Sequence, residues 1–276
     1  MQEVCATYER HKEIYDMTER YIASFKALPI HNIPLKELNE HIIWMFWNDL
    51  GWMPKIVRRC IESVKRHVHY RIILLTENTF QEYVTIPEHV VEKYRKGAIS
   101  HTHFSDILRV SLLSVYGGTW IDATVYLTGP IPEKYIDCNL CMLRGDTWGL
   151  DECHKIGCRC SSWYISSKPA NEFIVAVRDA LYGYWYLEDE LKEYFLIHIL
   201  ISKLLDSNLI FKEQWEEMPF LSSQDAHYLS ANSARNFSRE KWQDIKEVTF
   251  MHKLSYKAKV GNFDSFFHKI MKNEVD

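Results

Sequence analysis

The strongest constraint on the fold is a pair of short, almost wholly apolar runs, HIIWMFW (His41 to Trp47) and RIILL (Arg71 to Leu75), with a helical pattern between them. Such runs are rich in β-branched and aromatic residues and show no polar alternation. They suit strands covered on both faces, as in a mainly parallel sheet. Between them, Pro54 stands where a helix can begin, and Ile56, Val57, Cys60, Ile61 and Val64 recur at helical spacing. Strand, helix and strand over about 35 residues predict a βαβ unit. Ligands of open α/β sheets gather beyond the carboxyl ends of the strands. That places Trp47, Asn48 and Asp49, together with Thr76, Glu77 and Asn78, beside a nucleotide crevice. No G-x-G-x-x-G loop is present, which argues against dinucleotide binding of the Rossmann type.

Residues 1–40 read as a polar helical arm in which Ile14, Met17, Tyr21, Ile22 and Phe25 form one apolar stripe. Residues 41–276 are expected to form a single α/β domain, since cores of this class reach about 200 to 250 residues. The formal charge of −4 and the lack of a long basic run predict no affinity for nucleic acid or anionic lipid. The opening MQEVCATYERHKEIYDMTERY is charged throughout, and no stretch reaches the roughly 18 uncharged residues of a membrane span. The expected location is therefore cytoplasmic, with peripheral contact at the inner face of the membrane. Seven Cys in such a chain predict reduced thiols. Cys138, Cys141, Cys153, Cys158 and Cys160, with His154, hold enough ligands for a structural zinc. The C-x4-C-x-C spacing of the second group is not a repeated C-x2-C, and free thiols are the plainer expectation.

From Phe104 to Tyr116 the apolar positions fit an amphipathic helix that Gly117-Gly118 would stop. Thr119 to Leu127 then reads as one strand, with Trp120, Asp122, Thr124 and Tyr126 alternating against Ile121, Ala123 and Val125. Asp122 falls among residues that prefer burial, so its carboxylate requires a partner. Asp106 and Arg109 are i and i+3 on the helix; alone, they would be a surface ion pair worth about 0.2 to 0.5 kcal/mol. Gly145, Gly149 and Gly157 argue for an irregular loop through the Cys-containing stretch. Helices are predicted from Asn171 to about Tyr184 and from Asp189 to about Leu205. A short strand-like segment follows from Val248 to Leu254.

F-S-D-x-x-R, an apolar helix and then G-G-x-W-x-D together resemble the sugar-binding region of DXD-type glycosyltransferases. SDILR (Ser105 to Arg109) and YGGTWIDAT (Tyr116 to Thr124) resemble the capsular polysaccharide synthesis protein family. The likeness runs from about Ile42 to Lys257 and takes in Ser166-Ser167-Lys168-Pro169, Tyr194-Phe195-Leu196 and His252 to Lys257. It implies a GT-A type nucleotide-binding fold with a mainly parallel central sheet flanked by helices. It also implies a nucleotide-sugar donor, such as a UDP-sugar, and an oligosaccharide or lipid-linked glycan acceptor. By the same resemblance Asp106 and Arg109 would hold the donor sugar and Asp122 would lie at the diphosphate and its metal. Trp47, Asn48, Thr76, Asn78, Lys253, Lys257 and Asp225 complete the expected substrate-binding set. Similar folds are retaining; an inverting enzyme would need a carboxylate base, for which Asp225 and Glu193 are candidates. His198 is expected to be a core histidine.

The departure from the pattern is Thr124, which stands where D-x-D needs its second carboxylate and is a poor ligand for a hard cation. Negative charge still builds on the leaving diphosphate and must be met. Two arrangements do so. In one, Mn²⁺ or Mg²⁺ is held by Asp122, phosphate oxygens, water and His252; in the other, Lys253, Lys257 and Arg109 supply the positive field. Two rival functions remain. A nucleotidyl or phosphosugar transferase would want a glycine-rich phosphate loop, which is absent. A catalytically silent sugar-binding relative is favoured by Thr124.

Overall fold

The computed structural model describes residues 2–26, 34–145, 159–258 and 261–275. The chain opens on a long helix, α1 (Gln2–Lys26), and then delivers the two apolar runs as adjacent parallel strands, β1 (Ile42–Phe46) and β2 (Arg71–Leu75). All five residues of β1 are buried. Ile42, Trp44 and Phe46 enter one hydrophobic cluster, while Ile43 and Met45 enter the other. That two-sided burial is why the run carries no polar alternation. The link between the strands is α2 (Lys55–His67), which Pro54 opens and which buries the expected stripe from Ile56 to Val64.

After α3 (Glu88–Arg95) comes α4 (His101–Tyr116), whose first turn is capped by the Ser100 hydroxyl accepting from the His103 amide at 3.3 Å. β3 (Gly118–Ile121), β4 (Val125–Leu127), β5 (Leu140–Arg144) and β6 (Cys160–Ser167) follow. The main sheet has the order β2-β1-β3-β6-β5. β1 runs parallel to both β2 and β3, and β6 runs antiparallel to β3 and β5, so β6 alone opposes the common direction. This is the mainly parallel α/β sheet expected of a GT-A type fold. The helices α5 (Glu172–Leu187), α6 (Leu196–Ser207) and α7 (Leu209–Glu217) pack with α1, α3 and α4 into one cluster. The opposite cluster gathers α2, α9 (Arg239–Val248) and α10 (Phe266–Lys272). It also takes in a two-stranded sheet of β4 with β7 (Met251–Lys253), beside the short helix α8 (Tyr228–Asn232).

Four local expectations change. The single strand from Thr119 to Leu127 breaks at Asp122, because the Val125 amide donates to the Asp122 carbonyl at 2.9 Å and turns the chain into a second sheet. The Cys-containing stretch read as an irregular loop carries strands β5 and β6 at its two ends, and its residues 146–158, with Gly149 and Gly157, lie outside the described residues. The signal of β6 is hidden by buried serines such as Ser166, which donates to the Ile136 carbonyl and accepts from Thr119. The helix predicted from Asp189 begins at Leu196. The Tyr184 hydroxyl donates to the Glu190 carbonyl at 3.0 Å and accepts from the Lys192 amide at 2.9 Å, which claims backbone groups a helix would use. The segment read as a strand from Val248 starts only at Met251, since α9 extends to Val248.

α1 packs on α5 and buries Ile14, Tyr21 and Phe25 in the same cluster as β1, with Met17 and Ile22 at its margin. The crossing is tightest at Gly183, where an added Cβ would lie 1.8 Å from the Tyr21 carbonyl oxygen. Only a hydrogen fits there. Gly183→Ala is expected to cost about 1 to 3 kcal/mol in urea unfolding, the usual range for overpacking. Gly129→Ala, whose nearest new contact would be 3.8 Å away, should stay within about 0.5 kcal/mol of the parent. Equal stability of the two variants would refute the close crossing.

Candidate functional site

The site is built where α4 turns into β3. Gly117 and Gly118 both take positive φ, at 63° and 91°. A Cβ on Gly117 would lie 2.5 Å from the Pro169 nitrogen, and one on Gly118 would lie 2.5 Å from the Ile42 carbonyl oxygen. The pair therefore lets the helix end directly against the sheet. Asp122 emerges at the carboxyl end of β3, as Trp47 emerges from β1, and its amide donates to the Trp163 carbonyl at 2.9 Å. The turn that follows brings β4 to β7 in a register that pairs Val125 with Lys253 and Tyr126 with His252. Lys253 is thereby delivered to Asp122.

Arg109 joins the charged groups. Its guanidinium lies 2.8 Å from Asp106 Oδ1 and 3.1 Å from Asp122 Oδ1, and it also donates to the Ser162 carbonyl at 2.7 Å and the Ser105 hydroxyl at 2.9 Å. On the other side Lys253 Nζ donates to Asp122 Oδ2 at 2.6 Å and to Thr124 Oγ1 at 2.8 Å. Trp120 Nε1 completes the set by donating to Asp122 Oδ1 at 2.8 Å. Arg109 is 2% exposed and Asp106 8%, so the pair is not the surface ion pair that spacing alone suggests. Removing one partner would strand a charge without solvent.

These surroundings separate the two carboxyls. Burial raises Asp106 above its ordinary range, and Arg109 and His103 offset this only in part. Burial pushes Asp122 the same way, but Lys253 and Arg109, with hydrogen bonds from Lys253 and Trp120, outweigh it and hold the group below its ordinary range. Asp122 is therefore an anion clamped between two cations.

The clamp divides a cleft into two lobes. The inner lobe, of about 280 Å³, is lined by Asp106, Arg109, Ser162, Trp163 and His198. The outer lobe, of about 450 Å³, is lined by Trp47, Asn48, Thr124, Tyr256 and Lys257. Asp122, Lys253, Tyr194 and His227 line both. Of the expected residues, Thr76 and Asn78 line neither lobe. They close a turn through the Thr76 and Thr79 hydroxyls, and that turn meets cleft residues through Glu77, whose amide donates to the Asn48 carbonyl and whose carboxylate lies 3.3 Å from His101. Asp225 is exposed on a 3-10 turn and lines neither lobe, although its neighbours Ser223 and His227 do. Glu193 pairs with Arg10 and His11 of α1 and lines neither lobe. His198 borders the inner lobe, and burial holds it as a neutral imidazole with its pKa lowered to about 4. Ser162, Trp163, Tyr194 and His227 were not expected as lining residues. Ser162 and Trp163 lie on β6, the strand concealed by its serines.

A search of curated proteins finds no match to this chain. The model of a family described as capsular polysaccharide synthesis protein matches residues 3–272. The chain belongs to the capsular polysaccharide synthesis protein family. α1 falls inside the matched region of that family. Solved structures similar to this family member include the apo-form glycosyltransferase GlyE of Streptococcus pneumoniae TIGR4. It shares 14% identity and a TM-score of 0.45, over 84% of this chain and 60% of GlyE. The PaToxG glycosyltransferase shares 15% identity and a TM-score of 0.41, over 76% of this chain and 84% of PaToxG. The chain thus spans about 60% of the length of GlyE. Among the described residues, no helix is long and apolar enough to cross a membrane.

For this family member, the Mn²⁺ or Mg²⁺ expected on Asp122 and His252 does not fit the donor set. No group of three or more His, Cys, Asp or Glu among the described residues could hold a metal. Both Asp122 oxygens already accept from Arg109, Trp120 and Lys253. His252 follows Met251 and precedes Lys253 on β7, so its ring points away from Asp122; it is 0% exposed and meets Thr128 at 3.3 Å. As for zinc, Cys138 and Cys141 are free thiols, while Cys153, His154 and Cys158 lie outside the described residues.

Burial lowers the His252 pKa to about 3, below the ordinary value of 6.5. The unfolded chain therefore takes up a proton that the folded chain refuses. Stability should fall as pH drops from about 6.5 toward 3, by up to about 1.4 kcal/mol per pH unit from this residue. His252→Gln should flatten that part of the curve in urea unfolding at neutral and acid pH. An unchanged slope would show that the imidazole titrates normally.

Proposed function

We propose that the chain transfers a sugar from a nucleotide diphosphate, a UDP-sugar in the first instance, to a glycan or lipid-linked glycan acceptor. The product would be capsular or other surface polysaccharide, and configuration at the sugar would be retained. One observation carries this: Asp122 sits at the junction of two lobes, clamped between Arg109 and Lys253. The inner lobe offers Asp106, Arg109 and the neutral His198 to sugar hydroxyls. The outer lobe offers Trp47, Asn48, Tyr256 and Lys257 to the nucleoside and its phosphates. The diphosphate then crosses the junction beside Lys253.

In the reaction the bond from the anomeric carbon to the phosphate oxygen breaks, and a bond to the acceptor oxygen forms. The acceptor proton passes to the departing phosphate. Positive charge at Lys253 and Arg109 meets the charge that grows on the leaving oxygen. Retention is supported by the state of the inner carboxylates. Asp106 and Asp122 are both committed to ion pairs, so neither is poised as the base that inversion requires. A peripheral position at the inner membrane face would serve a lipid-linked acceptor.

The test is release of nucleotide from a panel of UDP-, GDP-, CMP- and dTDP-sugars with glycan acceptors. Asp122→Asn should lower turnover by about a hundredfold or more, with melting used to check the fold. Arg109→Ala should weaken donor binding. Near-normal turnover by Asp122→Asn would return the carboxylate to a structural role. Donor binding without turnover by the parent protein would instead identify a silent binding relative, the reading that Thr124 favours.

A further inference from the structure

Building on the nucleotide-sugar function above, we propose that Lys253 takes the place of the divalent cation in this site, so that the chain binds its donor diphosphate without metal. The ammonium nitrogen contacts both positions of the broken D-x-D motif, Asp122 Oδ2 at 2.6 Å and Thr124 Oγ1 at 2.8 Å. A complete motif would offer a hard cation two carboxylates at those positions as oxygen ligands. Here both positions serve as acceptors for one lysine. Thr124 is thus matched to Lys253: its hydroxyl accepts from the ammonium, and Asp122 is the one carboxylate that Lys253 pairs with, shared with Arg109, which also pairs with Asp106.

Lys253 is fixed in place before any ligand arrives. The β4–β7 pairing sets its backbone, and the next residue, Leu254, donates its amide to the Thr124 carbonyl at 3.0 Å. The ammonium lies 5.6 Å from the Trp163 ring centre. An ammonium group has three donors. Two are committed to Asp122 and Thr124, which leaves the third for a ligand oxygen in the cleft whose two lobes Lys253 borders. A divalent ion entering beside Asp122 would meet Lys253 and Arg109 on the same carboxylate, and both would repel it. His252, the other ligand the sequence offered, lies buried on the opposite face of β7.

The inference is tested by calorimetric titration of the purified protein with UDP, GDP, CDP and dTDP, in EDTA and again with added Mn²⁺. At least one diphosphate is expected to bind in EDTA, with an affinity that Mn²⁺ changes by less than about threefold. Lys253→Met should weaken that diphosphate by about tenfold or more, and the matching monophosphate much less, because the ammonium meets the second phosphate. Diphosphate binding that is about tenfold tighter with Mn²⁺ than in EDTA would overturn the inference while leaving the nucleotide-sugar function intact. So would a Lys253→Met protein whose affinity is unchanged. Failure of every diphosphate to bind under both conditions would sink that function, and the inference with it. The comparison with and without metal needs only the parent protein, so it decides the question even if the variant does not fold.

Discussion

The structure of the site depends on the guanidinium of Arg109. It bridges Asp106 on its own helix and Asp122 at the end of the adjacent strand, and it reaches across to Ser162 on β6. Three elements that share no local sequence are held to one another through a single planar cation. A buried ion pair is a poor source of stability, since desolvation consumes much of the Coulomb gain. Its value here is positional. With two carboxylates and a backbone carbonyl converging on one group, α4, β3 and β6 cannot shift independently without leaving charge unpaired.

That constraint is met by a sheet apolar on both faces. Trp44 illustrates the point: it belongs to one cluster through its rings, yet its indole donates to the Gly117 carbonyl at 2.9 Å. The helix-to-strand turn is thus pinned from the neighbouring strand. Burial and hydrogen bonding act on the same residue, and the turn that delivers Asp122 inherits the rigidity of the core.

Much of this was legible in the sequence, for identifiable reasons. β1 and α2 were readable because a strand buried on both faces and a helix buried on one leave distinct periodicities; β2 shares the apolar run but stands at the sheet edge, with Ile72 and Leu74 only half-buried. Asp122 stood out as a carboxylate amid apolar residues, Asp106 and Arg109 through the F-S-D-x-x-R resemblance, and the clamp joins all three. β6 was not readable: its serines look like loop residues until Ser166 is seen to be satisfied by Thr119 and the Ile136 carbonyl and Ser162 by Arg109. The break at Asp122 was hidden too, because TWIDATVYL alternates without interruption while its two halves enter different sheets. His252 and Lys253 were both noticed, but strand alternation sends only one of them to the cleft. Sequence adjacency carries no information on which.

The placement of Asp122 by a main-chain bond has a consequence for how such a site can diversify. Its amide is tied to the carbonyl of Trp163, while the Trp163 side chain forms part of the inner-lobe wall. The carboxylate is positioned by an atom that every amino acid possesses. The wall is shaped by an atom set that mutation can exchange freely. Selection can therefore reshape the chamber at residue 163 without dislodging the acid beside it, so that a change of preference and a loss of competence need not arrive together.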